Sequence, residues 1–505
     1  MTDGLTLGDW LSILLFASVI GTLLIGYPIA ITLAGTSLIF AWIGHGFGVF
    51  DYSLLGGLPS RYLGSMINEV LVAVPLFIFM GLVLERSGIA EMLLTTMGQL
   101  FGKLRGGLAY SVVLVGALLA ASTGVVGATV VTMGLISLPA MLRAGYDPKV
   151  ATGTICASAT LAQIIPPSTV LIFVGDLLAG VNQAAQLRMG NFSPDPISVG
   201  DLFAGALLPG IFLCGLYLLW IIYKAVFQPE TVPALQMTDA ERRGLPRRVV
   251  LALIPPLGLI VAVLGSILGG IATPTESASI GAIGALVLAG LNRRLSLDTL
   301  TYAARNTMVT TSIIFVIVLA ASLFSLVFRG LGGEHLVEEA LKNVPGGAFG
   351  AMLAVMLVMF VLGFFLDTFE IILIVLPICG PALIILGLDP VWIGVMIGVN
   401  LQTSFLTPPF GFTLFYMRGI APASVRTGQI WHGAIPFVAL QVFALCILWA
   451  FPPLATWLPN QIFQQAQVSA PASRGAGGID SLIDSSMQEG EENDESSDPY
   501  ATPKQ

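Results

Sequence analysis

The amino-acid sequence predicts an all-α polytopic membrane protein made of two inverted-topology repeats, with re-entrant hairpins and broken helices. Three observations predict it. Of 505 residues, 56% are hydrophobic and only 10% charged, and mean hydropathy is +0.91; a soluble chain carries about 25% charged residues. Runs of roughly 20 apolar residues recur, each able to cross a hydrocarbon core about 30 Å thick. They are continuous rather than alternating, which argues against a β-barrel. Finally, a six-position pattern occurs twice at a constant offset of 242 residues. Pro139, Gly145, Asp147, Pro148, Pro166 and Pro167 answer Pro381, Gly387, Asp389, Pro390, Pro408 and Pro409.

Taken in order, spans are expected near 10–26, 28–46, 107–141, 149–180, 202–226, 249–270, 274–292, 347–384, 391–417 and 428–453. Two further apolar stretches, 66–84 and 308–328, are short or interrupted by Pro75 and Ser322. They fit re-entrant hairpins that enter and leave on one side. The organisation that follows is a first repeat over 1–201, a connecting span and basic loop over 202–248, and a second repeat over 249–427. A C-terminal span over 428–460 and a tail over 461–505 complete it. The tail holds eight acids against Arg474 and Lys504, lacks an apolar period and reads as a disordered, solvated end. Met1 to Asp9 has no basic region before the first apolar run, so it reads as the start of a retained span and not as a cleaved signal peptide.

Lysine and arginine set the orientation. With the N-terminus outside, 14 of 21 basic residues fall on the cytoplasmic side, chiefly through loop 224–248, and ten crossings return the C-terminal tail to the outside. Five crossings separate the two Asp-Pro turns, and an odd number inverts the second copy. Weaker echoes pair Gly88 with Gly332 at an offset of 244, and Pro28 and Gly35 with Pro274 and Gly281 at 246.

The chemistry concentrates at four helix interruptions. Ala121-Ser122-Thr123-Gly124 pairs with Ile165-Pro166-Pro167-Ser168, and Leu366-Asp367-Thr368 with Thr407-Pro408-Pro409-Phe410-Gly411. A proline pair removes two backbone donors, and lipid tolerates this only where the freed carbonyls meet protein, water or an ion. Paired interruptions in paired repeats point to a secondary transporter's binding site. Unwound carbonyls and Ser, Thr, Asn or Asp side chains suit sodium, while the N-terminal ends of half-helices suit a carboxylate.

Ordinary alternatives stand beside these readings. Ser122, Thr123, Ser168, Thr407 and Thr413 can bond back to helix carbonyls. Asp367, in an apolar run with Glu370, can ligate an ion, carry a proton or hold a structural partner. Asn400 and Gln402 precede the second proline pair, where an amide serves an ion, a substrate or helix packing. Glu276 reads as a helix cap, and Asp147 and Asp389 as turn formers. Four isolated cysteines without CxxC spacing and three scattered histidines give no transition-metal site. No GxxxxGK[ST] loop and no basic patch are present, which removes direct ATP use and nucleic-acid binding. A membrane-embedded enzyme subunit would need a His, Cys or paired-acid cluster for a cofactor, and the sequence has none.

Ala121–Pro139, Gly145-Tyr146-Asp147-Pro148, Ile165–Ser168, Thr273-Pro274-Thr275-Glu276 and Asn400–Gly411 resemble the large membrane subunit of tripartite ATP-independent periplasmic (TRAP) transporters. The resemblance covers about residues 10–453. It implies an elevator-type carrier with a scaffold and a moving transport domain, set in a bacterial inner membrane and driven by sodium held at the helix breaks. It also implies a small four-helix membrane partner, a periplasmic binding protein and a small organic acid as substrate. Many members have Ser-Gly-Ser-Ser where this chain has Ser122-Thr123-Gly124-Val125; two hydroxyls become Gly and Val, which leaves Ser122, Thr123 and the backbone carbonyls as the candidate ligands there. With Asp367, the chain is similar to the subgroup labelled for keto acids, mannitol and chloroaromatic acids. A stand-alone sodium-coupled divalent-anion symporter, needing no partner, is the competing transporter reading.

Overall fold

Helix starts follow the local chemistry of the chain. Thr6 with Asp9, Ser198 with Asp201, and Thr273 with Glu276 form reciprocal capping boxes that satisfy the first backbone donors of three apolar helices. The computed structural model describes residues 5–123, 126–235 and 244–464. Among the described residues every regular element is helical. The first half contains α1 (Leu7–Ile25), α2 (Ile29–Gly46), α3 (Leu58–Met66), α4 (Glu69–Arg86), α5 (Ile89–Phe101), α6 (Gly107–Thr123), α7 (Val126–Arg143), α8 (Pro148–Thr160), α9 (Thr169–Arg188) and α10 (Val199–Phe227). The second contains α11 (Leu245–Leu268), α12 (Pro274–Leu291), α13 (Leu297–Gly330), α14 (Gly333–Lys342), α15 (Gly347–Leu362), α16 (Thr368–Ile385), α17 (Pro390–Leu406), α18 (Phe412–Ile420), α19 (Thr427–Ala450) and α20 (Pro453–Pro459). Met1–Pro459 form one compact unit. Beyond it a single π-helical turn, Asn460–Gln464, is described, and the acidic tail lies outside the described residues.

The duplication is visible in the backbone. Helices α7 and α16 each have 18 residues and sit 242 apart at both ends. Each is followed by a left-handed glycine, Gly145 at φ 86° and Gly387 at φ 91°, a conformation that favours a residue without Cβ. The next helix then starts under an aspartate. The Asp147 carboxylate accepts from the Lys149 N–H at 2.8 Å, and Asp389 accepts from the Trp392 N–H at 2.9 Å.

The expected path through the membrane is corrected in two places, identically in both repeats. The sequence reading takes 107–141 and 347–384 as crossings, but the chain folds back on itself in each. At the ends of the first segment, the Gly106 N–H donates to the Val232 carbonyl at 2.9 Å, and the Asp147 N–H donates to the adjacent Thr231 carbonyl at 3.0 Å. The Leu108 N–H also reaches the Tyr146 hydroxyl at 3.2 Å. Between these ends, a Cβ built on Gly116 would lie 3.0 Å from Met133 Cε. A straight helical path would separate those residues by about 25 Å. In the second repeat, Phe349 and Trp392 both pack against Trp449, with ring centroids 4.2 and 5.8 Å apart. Thus α6–α7 and α15–α16 are helical hairpins.

Conversely, 66–84 and 308–328, read from sequence as hairpins, do not fold back on themselves: the one break, at Ile67-Asn68, bends α3 against α4 by 49°, and 308–328 lies within one helix. Pro75 lies inside α4. Ser322 lies inside the 34-residue α13, its hydroxyl donating to the Val318 carbonyl at 3.0 Å and leaving the helix intact. Each repeat therefore exchanges one crossing for another. Between the Asp147 and Asp389 turns the path still crosses five times, through α8–α9, α10, α11, α12 and α13, and the second repeat remains inverted.

The repeats interleave in space: α4 packs on α12, α9 on α16, α2 on α13 and α8 on α19. The α8–α19 contact is backbone to backbone. A Cβ on Gly153 would sit 2.1 Å from the Gly433 carbonyl oxygen, so any larger residue would force the two helices apart.

Candidate functional site

The site is made by the four places where helices stop. The first broken span runs from α8 through a single 3-10 turn, Leu161–Gln163, and becomes helical again at Thr169. The second leaves α17 at Leu406 and re-enters helix at Phe412. Both proline pairs, Pro166-Pro167 and Pro408-Pro409, contain a cis peptide bond. One equivalent carbonyl is satisfied by a downstream hydroxyl in each repeat. The Gln163 carbonyl accepts from Ser168 Oγ at 3.2 Å, and the Phe405 carbonyl, 242 residues later, accepts from Thr413 Oγ1. A Cβ on Gly411 would lie 2.4 Å from the Phe405 oxygen and 3.0 Å from the Thr407 oxygen, so two unwound carbonyls crowd that glycine.

A buried hydrogen bond ties the first broken span to the tip of the second hairpin. Gln163 Nε2 donates to Thr368 Oγ1, the first residue of α16, at 2.8 Å. Gln163 is fully buried, yet its Oε1 meets no donor among the described residues. Asp367 precedes α16 in an extended conformation, with φ −73° and ψ 161°, and its N–H donates to Glu370 Oε2 at 3.0 Å. Glu370 is thereby accounted for at the start of the helix.

Residues beside all four breaks line one cavity of about 600 Å³. Val126 and Gly127 enter from the first hairpin, and Gln163 and Val170 from the first broken span. Asp367, Thr368 and Phe369 enter from the second hairpin, and Phe405, Phe412 and Tyr416 from the second broken span. Glu85 of α4 and Asn306 and Thr310 of α13 complete the wall. Glu85 accepts from Thr132 Oγ1 at 2.6 Å, which joins α4 to the first hairpin.

Of the residues proposed from sequence, Asp367 and Thr368 line this cavity directly. Ser122 and Thr123 are the last residues of α6, at the hairpin tip, and Gly124 lies outside the described residues. Pro166, Pro167 and Ser168 are buried in the first break; Thr407, Pro408, Pro409 and Gly411 form the second. The Thr407 hydroxyl bonds back to the Thr403 carbonyl at 2.7 Å, the ordinary use of such a residue.

Asn400 is not brought to the site. Its Nδ2 donates to the Met356 carbonyl at 2.9 Å, holding α17 against α15, and it borders a separate apolar cavity along α19. Five residues before Phe405, it points about 140° around the helix from the site face. Gln402 is fully buried, and neither amide atom has a partner among the described residues. Sequence reasoning missed Glu85 and Gln163. The available signals were an acid ending an apolar run before Ser87-Gly88, and an amide three residues ahead of a proline pair.

Residues 16–454 match the family described as "Tripartite ATP-independent periplasmic transporter, DctM component". The chain belongs to this family. It is similar to the ectoine TRAP transporter large permease protein TeaC of Halomonas elongata, at 30% identity over 454 residues, covering 89% of this chain and 99% of that protein. The C4-dicarboxylate TRAP transporter large permease protein DctM of Vibrio cholerae is 29% identical over 470 residues, covering 88% and 97%. Among solved structures, the YdaH transporter of Alcanivorax borkumensis shares the fold, with a TM-score of 0.58 at 16% identity over 80% of this chain and 91% of that one. The protein is thus a TRAP large permease subunit, a multi-pass inner-membrane transport protein and not an enzyme. These relatives are named for different substrates, and neither singles out the keto-acid and mannitol subgroup.

Proposed function

We propose that this permease imports a small organic acid, coupled to a sodium gradient. It works with a small four-helix membrane subunit and a periplasmic binding protein that delivers the substrate. The observation that carries the reading is one cavity lined by residues beside all four backbone breaks. Such a cavity offers oxygens to a cation: Gln163 Oε1, which meets no donor among the described residues, and the Asp367 carboxylate on the wall. Helices α16 and α18 begin on the same wall, and their N-terminal ends carry the partial positive charge that suits a carboxylate. One relative is named for C4-dicarboxylates, which supports an acid as cargo.

The corrected path supports the orientation with the N-terminus outside. It moves Arg86, Lys103 and Arg105 to the cytoplasmic side and Arg329 and Lys342 to the periplasmic side, strengthening the positive-inside asymmetry. Ten crossings then place the C-terminus outside as well. The test is reconstitution of all three components in proteoliposomes, with the acid that co-purifies with the cognate binding protein as cargo. Accumulation is expected only under an inward sodium gradient. Unchanged uptake with sodium replaced by choline would end the coupling proposal.

A further inference from the structure

Four helices, α4, α9, α13 and α16, border two cavities that have no lining residue in common. The break cavity takes Glu85 from α4 and Asp367 from α16. A second cavity, of about 390 Å³, takes Asn68, which caps the other end of α4, and Pro377 and Pro381 further along α16. Between them stand two phenylalanines. Phe173 lines the second cavity, Phe369 lines the first, and their rings meet edge to face with centroids 5.3 Å apart.

The second cavity carries two arginines, and their situations differ. Arg329 Nε is paired with Glu334 at 2.9 Å, a carboxylate that also receives Arg188 at 2.7 Å. Arg61, at the start of α3, is partly buried and has no acidic partner within ion-pair distance among the described residues. Asp176 lines the same cavity but is engaged by Asn68 Nδ2 at 2.8 Å. A half-buried guanidinium without a counter-charge is costly, and its planar fork of donors matches a carboxylate. Leu71, Phe173 and Leu373 supply apolar wall for a short carbon chain.

We propose that Arg61 receives a substrate carboxylate in this cavity, forming a waiting subsite separated from the break cavity by the Phe173–Phe369 contact. The proposal rests on the reading of the chain as an organic-acid carrier and names where the acid first binds. In the orientation argued above the cavity lies at the periplasmic ends of α4, α13 and the second hairpin, the side on which a binding protein releases its cargo. The aromatic pair must part for the acid to reach Asp367 and Thr368.

The test has two arms that fail separately. In the first, the three-component transporter in nanodiscs is treated with phenylglyoxal, and modification of Arg61 is followed by mass spectrometry. Millimolar succinate is expected to slow Arg61 labelling several-fold, while chloride at equal ionic strength does not; equal rates overturn the subsite. In the second, sodium-driven uptake of radiolabelled succinate or pyruvate is compared between wild type, Arg61→Met and Arg61→Lys. Loss of a charge-assisted contact is expected to raise KM about tenfold or more in Arg61→Met, equivalent to about 1.4 kcal/mol, with Vmax little changed and Arg61→Lys intermediate. An unchanged KM overturns the subsite and leaves the sodium-driven carrier standing. A wild-type transporter that accumulates neither acid counts against the carrier reading, and the labelling arm then decides Arg61 alone.

Discussion

Thr368→Val removes the hydroxyl through which the first broken span meets the tip of the second hairpin. The hydroxyl accepts from Gln163 Nε2 at 2.8 Å, and the two residues are 2% and 0% exposed. Valine keeps the branched shape, which confines the change to the hydrogen bond. A buried amide donor left unmade costs about 1–3 kcal/mol. The cost belongs in the upper part of that range, because Gln163 Oε1 meets no donor among the described residues and the amide would be left with no partner among them. The assay is denaturant titration of the purified permease in bicelles, with Thr368→Val, Gln163→Met and the double variant forming a cycle. Each single variant should lose stability, the pair should show a coupling of about 1 kcal/mol, and Thr368→Ser should restore most of the loss. If the single effects add to within about 0.3 kcal/mol, the cross-tie is not made and the reasoning about how the breaks are held together fails.

Two further outcomes test the path and the site. Arg105→Cys and Arg143→Cys, at the two ends of the first hairpin, should both react with a membrane-impermeant maleimide from the cytoplasmic side in inverted vesicles; labelling from opposite sides would restore a straight crossing over 107–141. Asp367→Asn keeps a residue that caps α16 well, so the fold should persist while sodium affinity or transport falls at neutral pH; wild-type sodium dependence in that variant would assign Asp367 a structural part.

The sites of helix interruption were legible in the sequence because they are local. A proline lacks its N–H wherever the chain carries it, and Asp147 or Asp389 caps the helix that follows within a single turn. The repeat was legible for the same reason, since each copy writes the same turn with the same residues. The direction of the chain after a break was not legible. An apolar segment such as 107–141 has one composition whether straight or folded. Its reversal is decided when Gly106 and Asp147 find neighbouring carbonyls on a distant loop. The inversion survived the correction because both repeats exchanged a crossing in the same way.

Ligand identity divides along the same line. That hydroxyls and amides cluster near the breaks follows from residue order alone. Which of them face the cavity depends on partners remote in the chain: Asn400 turns to Met356, and Gln163 reaches Thr368. The chain's own order therefore settles where backbone groups are set free, since that obeys covalent chemistry and a single helical turn. Three-dimensional packing settles which side chains find a partner, because those partners lie on other helices, of the same repeat for Asn400 and of the other repeat for Gln163.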